Sequence, residues 1–212
     1  MTATTFTVRV ENVSTASTLQ TPGGANASVA VPLSPVVWSV HTGGNPIWIL
    51  NEKASAGLQG VAEDGEAAVL AAEVKPNSLS SGVASTPVGA AAPGPLMPGD
   101  AYSFEITAKP GDLLAFATMF VQSNDLFYDF PGAGLNLFDA DSKAVSGDQT
   151  GQVVLFDAGT EVNEQPGVGL NQKPRQAADN QGPDENGVVV RVNDGFTYPA
   201  VSSVIKVTVT PK

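Results

Sequence analysis

Cysteine is absent from the 212 residues. That excludes a disulfide framework, a thiol nucleophile and a cysteine-ligated metal. Histidine occurs once, at His41. A Ser-His-Asp triad would have to use it, and no Gly-x-Ser-x-Gly elbow accompanies it. A packing or hydrogen-bonding role is expected of it instead. Lys and Arg number 10 against 21 acidic residues, a formal net charge of −11. Nucleic acid is therefore not an expected partner, because phosphate binding needs basic patches. Anionic lipid is disfavoured in the same way unless a bound cation bridges the two surfaces. No stretch approaches the roughly 18 apolar residues of a membrane span, so direct membrane insertion is not expected. No Gly-rich loop leads into Lys-Ser/Thr to cradle a phosphate. Residues 1–5 lack a basic region and an apolar segment. Either the chain is not exported or a leader has been removed; the second reading fits the Gly, Pro, Ser, Thr and Asn abundance, which has an extracellular look.

What is present is a series of short β-like runs punctuated by turn residues. Phe6 to Glu11, Tyr102 to Thr107 and Val204 to Thr210 alternate apolar with polar residues, the pattern of strands with one buried face. Ser34 to His41 is a Pro-led apolar run, followed by a Gly-Gly-Asn-Pro turn. Leu113 to Val121 is apolar on both faces and reads as a central strand. Val153 to Phe156 and Val188 to Val192 are further strands. Lys109 to Asp112 is a turn, so the runs on either side of it are expected to form a hairpin. Asn12 to Ser28, Lys75 to Pro98 and Gln165 to Gly187 read as loops. The only helical text lies at 54–74, interrupted at Asp64-Gly65. The expectation is a single all-β domain spanning 1–212, an antiparallel β-sandwich with a small helical insertion near 54–74.

The chemistry concentrates between Ser123 and Glu164. This stretch holds eight acidic residues and one base, Lys143. Such carboxylates repel one another unless solvent separates them or a cation is shared. A hard cation such as Ca²⁺ takes carboxylate and carbonyl oxygens from loops. Asp125 and Asp157 each follow an apolar run, where neighbouring strands can bring loops together. Glu161 can return to the same place if Gly159 permits a tight turn. The alternative is that Asp125 caps a turn and Asp157 satisfies loop amides. Asp139-Ala140-Asp141 resembles the start of an EF-hand loop. Lys143 falls at a ligand position, however, and Ala144 stands where Gly is needed, so this segment reads as a solvated turn. Asp157-Ala158-Gly159-Thr160 resembles one half of an aspartic-protease pair, but no second copy exists.

Four segments resemble the spondin-N domain in its bacterial form: Ser34 to His41, Ala56 to Gly65, Ser123-Asn124-Asp125-Leu126-Phe127 and Phe156-Asp157-Ala158-Gly159-Thr160-Glu161. They occur in that family's order. The resemblance implies a β-sandwich similar to calcium-dependent lipid-binding signalling modules, with Ca²⁺ held in loops at one end. It implies Asp125 and Asp157 as side-chain ligands, with Glu161 standing where the animal proteins have Asp. Asn124, Asn163 and Glu164 are neighbours to which no ligand role is carried over. The animal domains have cysteines that this chain lacks.

The function expected is a non-catalytic, calcium-binding adhesion or matrix-type module, secreted or at the cell surface. Its partner would be an unidentified extracellular macromolecule or surface. Two alternatives stand beside it: a metal-dependent extracellular hydrolase, and a purely structural surface protein without metal.

Overall fold

The computed structural model describes residues 2–22 and 28–212. The loop expected from Asn12 to Ser28 falls partly outside the described residues. The strands run, in chain order, β1 (Thr4–Asn12), β2 (Leu19–Gln20), β3 (Ser28–Val29), β4 (Val36–His41), β5 (Ser80–Ala84), β6 (Ala101–Ala108), β7 (Leu113–Met119), β8 (Leu126–Asp129), β9 (Leu135–Asn136), β10 (Gly147–Asp148), β11 (Val154–Asp157), β12 (Val190–Arg191) and β13 (Ile205–Pro211). One sheet has the order β10-β13-β1-β6 and the other β12-β11-β8-β7-β4-β5, with β9 also on β7. Strands β2 and β3 form a separate short pair. All pairings are antiparallel. The expected all-β sandwich with a small helical insertion is what forms.

The insertion is helix α1 (Ala56–Gln59), a π-helical turn (Gly60–Asp64) and helix α2 (Ala67–Val74). Ser55 caps α1 by accepting a hydrogen bond from Leu58 N. The interruption falls at Gly65, whose φ of 74° is left-handed.

The doubly apolar text of β7 explains the layering. Leu114 and Phe116 point into the core between the two sheets. Ala115 and Ala117 point the other way, against Leu58, Val61 and Leu70 of the helical insertion. The neighbours alternate in the same sense. Leu126 and Tyr128 of β8 join the inter-sheet core, whereas Phe127 joins the helix-side core with Phe156 of β11. A strand covered on both faces needs apolar residues at every position, and the insertion supplies the second cover.

Two expectations are corrected. The runs flanking Lys109 to Asp112 do not form a hairpin: β6 pairs with β1 in one sheet, while β7 pairs with β4, β8 and β9 in the other. The turn is there, with Asp112 N donating to Lys109 O at 2.9 Å. It carries the chain between sheets because β6 has one apolar face and β7 has two. Second, the segment at 75–98 is not all loop. Strand β5 forms the sheet edge beside β4. Its sequence, Ser-Ser-Gly-Val-Ala, has weak strand propensity. A Cβ at Gly82 would lie 2.8 Å from the Trp38 ring, so the glycine is there to admit the indole. Among the described residues, no helix is long and apolar enough to cross a membrane.

Candidate metal centre

Strand pairing decides which carboxylates meet. Asp157, the last residue of β11, is the register partner of Leu126, and Ala158 N donates to Asp125 O at 3.1 Å. Asp125 therefore lies one step before β8, beside the exit of β11. Gly159 then turns the chain back with φ 68°. A Cβ there would lie 2.5 Å from Val188 N, so no other residue fits. The turn aims two donors inward: Thr160 N at 2.7 Å and Glu161 N at 3.1 Å both donate to Asp125 Oδ2, joined by the Thr160 hydroxyl at 3.1 Å.

The segment ahead of β12 closes the other side. Glu185 N donates to Thr160 O at 3.0 Å and Gly187 N to Gly159 O at 2.7 Å. Glu185 is thereby held beside the two aspartates. One carboxylate oxygen each from Asp125, Asp157 and Glu185 lies within 4.8 Å of the others. Two oxygens bound to one Ca²⁺ at about 2.4 Å are at most about 4.8 Å apart, so the spacing is compatible with one shared ion. Among the described residues this is the one group of three such side chains, and it can hold a metal ion.

The electrostatics are those of a site short of positive charge. Asp125 is fully buried, Asp157 nearly so, and Glu185 is exposed. Burial first, and then repulsion from Asp157, pushes the Asp125 pKa up to about 8. Burial pushes Asp157 up to about 6, against hydrogen bonds from Gly159 and Asn163. Asp125 Oδ2 has its three donors, but Oδ1 is buried with no hydrogen-bond partner among the described residues. Asn163 Nδ2 donates to Asp157 Oδ2 at 2.7 Å, and its own buried Oδ1 is likewise without a partner. A cleft of about 580 Å³ opens beside the group, lined by Asp157, Asn163, Glu185, Arg191, Asp194 and Phe196.

Of the three sequence candidates, Asp125 and Asp157 come together, and Glu161 is placed differently. Its backbone N reaches Asp125, but its carboxylate turns away to accept from Asn124 Nδ2 at 3.1 Å. The third carboxylate of the group is Glu185. Sequence reasoning passed over it inside a long polar loop. The available signal was the Asp-Glu-Asn-Gly turn directly before the Val188 run. Asp139 is the solvated turn expected, its Oδ1 accepting from Asp141 N and Lys143 N. His41 is fully buried at the end of β4, opposite Leu113, and burial holds its pKa below the usual value. No family model matches the chain, and no curated protein matches it.

Proposed function

We propose that this chain is a non-catalytic, calcium-binding module of adhesion or matrix type, exported or displayed at the cell surface. In this reading it is a spondin-N-like domain whose Ca²⁺ ties the β7–β8 turn, the β11 exit and the segment before β12 into one rigid end. That end would then meet an extracellular macromolecule or surface. The observation that carries the reading is the orphaned Asp125 Oδ1. A buried polar atom without a partner costs about 1–3 kcal/mol, and more when charged. A cation beside Asp157 and Glu185 removes that cost. The donors are all oxygen, with no sulfur or imidazole, which favours a hard ion of the Ca²⁺ type over a softer transition metal. A non-catalytic role is supported by the position of the sole histidine. His41 pairs with the first residue of β7, whereas Asp125 follows that strand's other end.

The test is thermal unfolding in millimolar CaCl₂ and in EDTA. A ligand that binds only the folded chain stabilises it by about 2.7 kcal/mol at a hundred times its Kd. For 212 residues this corresponds to an upward shift of roughly 5–10 °C. The shift should disappear in Asp125→Asn. Identical melting of the wild type in the two buffers would overturn the reading.

A further inference from the structure

A separate cavity of about 550 Å³ is lined by none of Asp125, Asp157 and Glu185. The approach to β4, the turn ahead of α2, the loop at 93–95, the end of β7 and the segment at Lys173 meet around it. Its walls are mostly apolar, built from Pro35, Pro93, Pro95 and Pro174 with Met119 and Val121. A proline ring is rigid and its nitrogen carries no hydrogen. These walls therefore offer fixed apolar surface with few donors. Hydrogen bonds between the walls hold the space open. Met119 N donates to Ser34 Oγ at 2.8 Å and Val121 N to Pro32 O at 3.3 Å. Leu33 and Leu96 exchange backbone hydrogen bonds at 3.0 and 2.9 Å, and the Tyr102 hydroxyl donates to Gly94 O at 2.5 Å. Gln176 Nε2 donates to Asp64 at 2.6 Å. The cavity is thus formed before anything enters it, with the size and lining of a small-molecule site.

Three charged residues line the cavity: Asp64, Glu66 and Lys173. Asp64 accepts from Lys173 at 3.4 Å and from Asn180 N at 3.1 Å. Lys173 is shared between Asp64 and Asp179. Glu66 is exposed, caps no helix with its side chain and pairs with no base among the described residues. The unpaired charge at the cavity is therefore negative. An anionic ligand would find the lining base already committed, on a chain of net charge −11. A cationic ligand would find a free carboxylate.

We infer that this cavity binds a small organic cation, its apolar body against the prolines and Met119 and its ammonium group at Glu66. Removal of the apolar body from water supplies most of the affinity. Glu66 sets the sign of the charge that is accepted. The site stands independently of the metal centre, with which it shares no lining residue.

The experiment is an NMR titration of the ¹⁵N-labelled full chain at neutral pH with 2-phenylethylammonium and, separately, 3-phenylpropionate. The two probes share a ring and a two-carbon arm and differ in charge. The cation should shift the amides of Gly65, Val121 and Lys173 in a saturable way, with a Kd of order 1 mM for so small a ligand. The anion should bind more weakly. Glu66→Gln, at an exposed position, should weaken the cation about two- to fivefold, the worth of one exposed charge pair. Val121→Trp should fill the cavity and abolish the saturable shifts; if it does not fold, Glu66→Gln decides alone. No saturable shift at these amides, equal binding of the two probes, or unchanged cation binding in Glu66→Gln would each overturn the inference.

Discussion

Asp125 immediately precedes the four-residue strand β8 and Asp129 ends it, and both are fully buried. Their surroundings could hardly differ more. Asp129 meets four donors: Trp48 Nε1 at 2.7 Å, Asn45 Nδ2 at 3.0 Å, Phe116 N at 2.8 Å and Phe130 N at 2.6 Å. Both of its oxygens are satisfied by the chain itself. Asp125 receives three donors on Oδ2 and none on Oδ1, and it faces Asp157 instead of an amide. A buried carboxylate is thus an architectural anchor when the fold supplies its donors, and a candidate ligand when the fold leaves one oxygen bare. Burial alone does not separate the two roles; the count of donors does.

The largest effect in this comparison belongs to the anchor. Asp129→Ala leaves the Trp48 indole, the Asn45 amide and two backbone N–H groups unpaired in the core. Breaking such a network costs about 3–5 kcal/mol. Urea unfolding should record that loss equally in CaCl₂ and EDTA. A loss below about 1 kcal/mol would show that the four hydrogen bonds are not what fixes the 45–48 segment to β8.

A smaller effect sharpens the other half of the comparison. In EDTA the native chain keeps protons on Asp125, with a pKa of about 8, and on Asp157, with a pKa of about 6. The unfolded chain releases them near the ordinary carboxylate value of about 3.9. The native state therefore binds more protons across that interval, and stability falls as pH rises from about 4 to about 8. Asp129, pushed by burial to about 7 against its four hydrogen bonds, adds a fall of the same sign whether or not metal is present. Saturating Ca²⁺ requires the ionised carboxylates, so it should flatten the part of the slope due to Asp125 and Asp157. Melting temperatures across that pH range, with and without Ca²⁺, isolate the metal group. Superimposable profiles would contradict the assignment.

The sequence made some of this arrangement legible. Alternation in Phe6 to Glu11 and Val204 to Thr210 marked the outer sheet, and the unbroken apolar run from Leu113 marked the middle of the other. Asp125 and Asp157 stood out because each sits next to such a run. Strand β8 was hidden, since Leu126 to Asp129 is too short to show a period. Its partner choice rests on the register between Phe127 and Phe156. Strand β5 was hidden by its serines and glycine. The hairpin expected around Lys109 to Asp112 failed because a turn fixes a reversal, while burial fixes which sheet receives the next strand. Glu185 was passed over because it reaches Asp125 and Asp157 from a distant segment, which only the fold brings close. Gly159 was legible only as a turn that could return Glu161; in the fold the same turn also admits the backbone of Val188.

The most direct measurement is a crystal structure of the chain grown in CaCl₂, with anomalous data collected after Mn²⁺ replacement. The account predicts a peak bonded at about 2.3–2.6 Å for Ca²⁺ to Asp125 Oδ1, with oxygens of Asp157 and Glu185 in the same shell. Density with Asp125 Oδ1 still unliganded, while metal is present in the crystal, would contradict it.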